Sequence, residues 1–230
     1  IVHESRTFQV GNKTFKAQII TINLMDPRVE LDVVAAGGKI GRTEELSAMA
    51  ERHGATVAIN GAFFDAYTES EVKKPYGWLI NDGEVMSNGA YFKRATFIYD
   101  RNLLAKVADG ADMPELVRAG SIDGAVQAGP LLVRGGKVEL NIEEEGFKDP
   151  KILKNSGARS ALGITRDHRL ILLTVPSATI PELAEIMRLA GARQAMNLDG
   201  GASSGLYYDG KYITKPGRLL SNALIVKLAS

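Results

Sequence analysis

The segment from Arg159 to Val175 constrains the fold of this chain more than any other. Arg159-Ser-Ala-Leu-Gly-Ile-Thr165 and Leu170-Ile-Leu-Leu-Thr-Val175 are apolar runs of strand length, separated only by the polar Arg166-Asp-His-Arg169. Runs this short cannot bury themselves as helices, and a brief polar link lets them pair antiparallel. The expectation is a hairpin with Arg159 at its open end and His168 in a solvated turn.

Other stretches repeat the pattern. Phe15–Ile22 and Val29–Val34 alternate, with Asp26-Pro27 between them, so residues 6–36 read as paired strands. Asn81-Asp82-Gly83-Glu84 and Arg134-Gly135-Gly136-Lys137 carry hairpin-turn chemistry. Ala55–Ile59, Ala95–Tyr99 and Ser221–Val226 read as buried strands. Gly124–Val133 also reads so, but Gly129-Pro130 interrupts it and implies a bulge or an edge. Two segments read as helices. Residues 43–53 start at Thr43 as N-cap and stop at Gly54, and Thr179-Ile-Pro181-Glu182 has capping-box spacing before Leu183, Ile186, Met187 and Ala190. Residues 101–120 show no clear period. Residues 141–157, with Glu143-Glu144-Glu145, read as a solvated loop or a flap over a site. Many strands with few helices define an α+β class: residues 1–230 as one domain on a large, mainly antiparallel or mixed sheet.

Composition removes several function classes. A net charge of +1 leaves no basic footprint for nucleic acid or for an anionic membrane surface. The chain has no cysteine, which excludes disulfides, thiolate zinc sites and cysteine nucleophiles. No apolar run is long enough for a transmembrane segment, and the start lacks a signal core, so the chain reads as processed. His3, His53 and His168 are scattered without zinc-ligand spacing. Asp65–Glu71 spaces oxygens like a calcium loop, but Ser70 replaces the glycine and Tyr76 the closing glutamate.

Chemistry concentrates after Leu198. Asp199-Gly200-Gly201-Ala202-Ser203-Ser204-Gly205 ends an apolar strand in a glycine-rich turn, which suits either an anion-binding nest or a tight hairpin turn. Gly201-Ala-Ser203-Ser-Gly205 matches a nucleophile elbow, yet no histidine follows His168 to activate Ser203. No glycine loop is followed by Gly-Lys-Ser/Thr, so a P-loop is absent. What remains is a recurrent position. Asn60, Asp65, Arg159, Asp199, Ser203, Ser204 and Asn222 all fall at strand ends or beside them. Were these ends to converge, carboxylates would suit glycosidic cleavage and an arginine fork would suit a phosphate ester.

Five blocks, Ala58–Asp65, Gln127–Val133, Arg159–Ile164, Asn197–Ser204 and Ser221–Leu224, resemble the phosphodiester glycosidase domain, in the expected order and over nearly the whole chain. Ala62 and Ala202 stand where many relatives carry glycine. The resemblance implies hydrolysis of a sugar-1-phosphodiester at the anomeric carbon. It also implies a setting among envelope or exopolysaccharide glycans, as for bacterial members, and an extracellular or envelope location. On this reading Asp199 is the catalytic carboxylate and Arg159 the phosphate clamp, with Asp65 a second carboxylate or a cap on its own loop. Gly129, Gly200, Gly201, Ser203 and Ser204 would bind substrate, and Asn60 and Asn222 would orient the sugar or the groups that touch it. No cofactor is implied; an Asp65–Asp199 metal pair is the alternative. The competing functions are a non-catalytic module for anionic glycans and a metal-assisted phosphodiesterase cutting the P–O bond.

Overall fold

The expected hairpin forms the centre of the largest of three sheets in the computed structural model, which describes residues 1–230. Gly157–Thr165 pairs with Arg169–Ala178 so that Ala161 faces Leu173 and Leu162 faces Leu172. Lys13–Asn23 and then Val2–Val10 extend the sheet on one side. Ala192–Asn197, Leu131–Arg134 and Lys137–Val138 extend it on the other, giving seven strands. A second sheet runs in the order Lys211–Thr214, Leu206–Tyr208, Val57–Asn60, Asn222–Leu228, Val29–Ala35. The third runs Glu84–Ser87, Leu79–Asn81, Gly124–Gln127, Thr96–Tyr99, Ala105–Ala108. Every ladder is antiparallel. The α+β class holds, with the strands divided among three sheets.

Strand geometry explains why both hairpin arms are apolar throughout. Successive side chains point to opposite faces, and here both faces are covered. Leu162, Leu172 and Met196 point into a cluster of 27 buried residues shared with Ile59 and Leu224 of the second sheet and Phe97 and Val126 of the third. Their neighbours Ala161, Leu173 and Ala195 point outward into a cluster of 20 beneath the helix Ile180–Leu189. Leu46–Arg52 covers the outer face of the second sheet, and Met113–Ala119 that of the third. Three sheets therefore enclose one core, and each carries a helix on its back. A fully buried leucine such as Leu172 stabilises this arrangement by about 2–3 kcal/mol.

Local signals that need only neighbours are realised. Thr179 and Glu182 form the capping box, at 3.3 and 2.9 Å. Asp82 and Gly83 both take positive φ, as a two-residue hairpin turn requires. Elsewhere, tertiary contacts override the local reading. Lys13–Asn23 and Val29–Ala35 are not partners: they join different sheets, because their mates, Arg169–Ala178 and Asn222–Leu228, lie far along the chain. The first helix begins at Leu46 and Thr43 does not cap it. Glu44 bridges Leu220, and its carboxylate holds the Gly37 N–H and Arg52, so the chain stays extended until then. The segment without a clear period contains the strand Ala105–Ala108 and the helix Met113–Ala119. At Gly129-Pro130 the chain crosses from the third sheet to the first; the irregularity expected in this stretch falls just after it, as a register shift between Leu131 and Val133 against Ala192–Asn197. His168 is half-buried, its Nε2 lying 2.8 Å from the Leu103 carbonyl oxygen, so its turn is not fully solvated. No helix is long and apolar enough to cross a membrane.

Candidate active site

The ends of strands from all three sheets meet beneath Asp199. Val57–Asn60 delivers Asn60, Asn222–Leu228 begins with Asn222, Ala192–Asn197 ends at Asn197, and the crossing at Gly129-Pro130 lies alongside. Asn60 and Asn222 are each only 2% exposed. A buried carboxamide must find partners for its donors and its acceptor, and these do so through backbone brought from distant elements. The Asn60 Nδ2 donates to the Asp199 carbonyl at 2.5 Å, while its Oδ1 accepts from Ser160 Oγ at 2.7 Å and from the Gly205 N–H at 3.1 Å. Asn222 Oδ1 accepts from the Ala62 N–H at 2.7 Å, and its Nδ2 donates to the Ala62 carbonyl and to Ser221 Oγ. Asn197 Nδ2 donates to the Gly129 carbonyl at 3.0 Å, and the Gly129 N–H returns a bond to the Asn197 carbonyl. A side chain at position 61 would place Cβ 2.4 Å from Asn222 Oδ1, so only glycine admits this clamp.

Of the two expected roles, these contacts give Asn60 and Asn222 that of orienting the site: they hold the Asp199 peptide and the Ala62 loop. Both backbone polar groups of Gly129 are bonded to Asn197. Its φ of +87°, and the 2.7 Å that would separate a Cβ from Glu145 Oε1, make glycine necessary there for structural reasons. Glu145, which the sequence places in a solvated run, is buried. Its carboxylate accepts from the Ala95 and Leu131 N–H groups at 2.7 and 2.8 Å, tying the 141–147 segment to the sheet crossing. Burial pushes its pKa up, against the pull of those N–H groups and of Arg94.

Arg159 is also corrected. Ser160 faces Asn60, so strand alternation turns Arg159 to the opposite face of its sheet. There the buried guanidinium donates from Nε to the Ala178 carbonyl at 2.8 Å, and from Nη2 to the Lys151 and Asn155 carbonyls at 2.7 and 2.6 Å. Nε and Nη2 are thus committed to backbone carbonyls on the face of the sheet away from Asn60. What it does is hold the short helix Pro150–Leu153 against the sheet.

Asp199 remains as the reactive group. Its backbone is fixed from both sides, since its N–H donates to the Gly61 carbonyl at 3.0 Å and its carbonyl accepts from Asn60. The side chain, half-buried, takes one hydrogen bond from the Gly200 N–H at 2.9 Å. Burial pushes this carboxyl up to about 6, although the neighbouring Ser203 hydroxyl, the Gly200 N–H and the positive fields of Arg218 and Lys151 all favour the charged form. The Ser203 and Ser204 hydroxyls, both buried, lack partners of hydrogen-bond geometry, as does Asn197 Oδ1. The nest expected at residues 200–204 is only partly available. The Ser203 and Ser204 N–H groups close a 3₁₀ turn onto Gly200 and Gly201, and the Gly200 N–H is held by Asp199. Gly201, at φ +59°, lies exposed at the tip of the turn.

Asp65 is half-buried, and its carboxylate accepts no hydrogen bond, so it does not cap its own loop. Its charge helps burial to raise the pKa of the Tyr76 hydroxyl. No three His, Asp or Glu side chains gather in one set, so an Asp65–Asp199 pair would have no third ligand of those types.

Two groups on this side of the molecule carry no signal in the sequence. The first is Tyr67 with Arg218 and Lys151, from three separate segments. The Arg218 guanidinium lies 4.9 Å from the Tyr67 ring centroid and donates to its hydroxyl at 2.7 Å, and Lys151 Nζ lies 5.5 Å from the same centroid. The second is Arg94, whose guanidinium stacks 4.3 Å from the Phe147 centroid and 4.6 Å from that of Phe92, its Nε buried without a partner. A cavity of about 580 Å³ lies beside Glu145, Leu131 and Asp109, and Asp199 is not among the residues that line it.

Residues 53–227 match the family model described as phosphodiester glycosidase, and the chain belongs to that family. Among curated proteins it is similar to mouse (Mus musculus) N-acetylglucosamine-1-phosphodiester alpha-N-acetylglucosaminidase, with 25% identity over 209 residues, which covers 83% of this chain. The chain spans 40% of the length of that relative. Among solved structures, a hypothetical protein from Synechocystis superposes with a TM-score of 0.86 at 18% identity, covering 98% of this chain and 62% of the other. The catalytic domain of zebrafish N-acetylglucosamine-1-phosphodiester alpha-N-acetylglucosaminidase, auto-inhibited by its pro-peptide, superposes with a TM-score of 0.81 at 19% identity, covering 100% and 82%. At those identities the likeness is one of fold.

Proposed function

We propose that this protein hydrolyses sugar-1-phosphodiesters at the anomeric carbon, with Asp199 as the acting carboxylate. The observation that carries the reading is the state of Asp199: a carboxyl raised to about 6, backbone-clamped, and flanked by cations, in a chain of the phosphodiester glycosidase family. A pKa near 6 leaves the group mostly ionised at neutral pH, able to stabilise or attack an oxocarbenium-like centre or to take a proton from water. The bond between the anomeric carbon and its oxygen breaks, the phosphate monoester departs with that oxygen, and water supplies the new hydroxyl on the sugar. Departure needs little acid assistance, because the second pKa of such a monoester is about 6. The names of the mammalian and fish relatives favour an N-acetylglucosamine-1-phosphodiester as substrate, and the family resemblance favours envelope or exopolysaccharide glycans and an extracellular or envelope location.

Turnover of N-acetylglucosamine-1-phosphodiester in oxygen-18 water tests this. The expected result is label in the sugar, with turnover in Asp199→Asn reduced by about 10²–10⁴. Label in the phosphate would replace the reading with P–O cleavage, and glycan binding without any release would replace it with a binding module. Recovery of the native protein from the cytoplasm alone would contradict the proposed location.

A further inference from the structure

We infer that Lys151, Arg218 and Tyr67 form the phosphate subsite of this protein, selecting substrates whose leaving group gains negative charge as it departs. The inference rests on the hydrolytic reading of Asp199. Three observations carry it. Two cations from distant segments are held close to one aromatic ring, at 4.9 and 5.5 Å from the Tyr67 centroid. Neither makes a salt bridge: Arg218 spends a hydrogen bond on the neutral Tyr67 hydroxyl, and both direct their positive field at the half-buried Asp199. Neither cation is paired with a carboxylate at salt-bridge distance, so the group keeps the capacity to take a bound anion. Third, the cations are braced. The helix carrying Lys151 is pinned by Arg159 through the Lys151 carbonyl, and Tyr67 accepts the Arg218 hydrogen bond, which leaves its own hydroxyl proton free to donate.

The charge arithmetic matches a phosphodiester better than a carboxylate or a neutral aglycone. A diester carries one negative charge. The monoester that leaves carries nearly two, so the additional charge develops on oxygens beside Lys151 and Arg218 as the bond to the anomeric carbon breaks. Attraction that grows along the reaction lowers the barrier as well as aiding binding. An arginine can take two of the oxygens in parallel, and the lysine acts as a point charge on a third.

The test uses the wild-type protein with Lys151→Met and Arg218→Gln. Affinity for inorganic phosphate is read by calorimetry, and kcat and KM are read with a sugar-1-phosphodiester. Both side chains lie at the surface or half-buried, and thermal melts confirm folding. Each substitution is expected to weaken phosphate binding about tenfold and to lower kcat by a larger factor than it raises KM. Absence of phosphate binding by the wild type, or unchanged phosphate affinity in both variants, overturns the inference. Were phosphate binding lost in the variants of a protein with no turnover at all, the subsite would stand and the hydrolytic reading would fall. Wild-type kcat and phosphate affinity in both variants would have the opposite meaning.

Discussion

The floor beneath Asp199 and the rim around it draw on the same kinds of polar residue but treat them oppositely. In the floor, Asn60 and Asn222 are buried and every polar group of their carboxamides is bonded. At the rim, Asp199 accepts one hydrogen bond, Ser203 and Ser204 are buried without partners, and Lys151 and Arg218 carry charge without a carboxylate. Saturated groups fix positions, since moving one strands its partners away from water. Unsaturated groups retain capacity for a ligand, and their presence costs the folded state stability. Residues chosen from sequence as one site thus divide into a frame and a working surface.

Substitutions on each side can break that contrast. The largest effect is expected for Asn60→Ala, which leaves the Asp199 carbonyl, Ser160 Oγ and the Gly205 N–H without their partner. A loss of roughly 3–5 kcal/mol in denaturant unfolding is expected. A loss below about 1 kcal/mol would mean that the floor is not the frame described. Ser203→Ala removes a hydroxyl that is buried to a similar degree but unpartnered. Its effect on unfolding should stay within about 1 kcal/mol, and stabilisation is compatible with the account. Destabilisation matching that of Asn60→Ala would erase the distinction between the two regions.

The division also shows what was legible in the sequence. The hairpin 159–175, the Thr179 capping box and the Asp82-Gly83 turn depend on residues within a few positions of one another, so their pattern is written locally. The strand-end polar residues are legible as a set, because polar residues that bound apolar runs, such as Asn60, Asp199 and Asn222, mark where strands end. Their roles were not readable. Whether a carboxamide faces substrate or backbone depends on which distant peptide arrives beside it, as Gly205 and Ala62 do here. Arg159 is marked by its place at a strand end, yet strand phase turns it to the far face, where it holds the Lys151 carbonyl. Tyr67, Lys151 and Arg218 lie in irregular or short segments with no periodicity, and only folding brings them together. Glu145 was hidden for a similar reason: a run of three glutamates reads as solvated, and nothing in it marks which one turns inward.

The central claim is that Asp199 is a carboxylate held in the folded state at a cost to stability. Its folded pKa, about 6, lies above the ordinary 3.8. Between those values the native state keeps a proton that the unfolded chain has released, so stability falls as pH rises through that window, and the cost is complete above it. Denaturant unfolding of the wild type and Asp199→Asn from pH 3.5 to 7.5 measures this directly. The two proteins should converge at the acidic end, and the asparagine variant should become the more stable above pH 6, by at most ~3 kcal/mol. A wild type that is the more stable of the two at neutral pH would contradict the account.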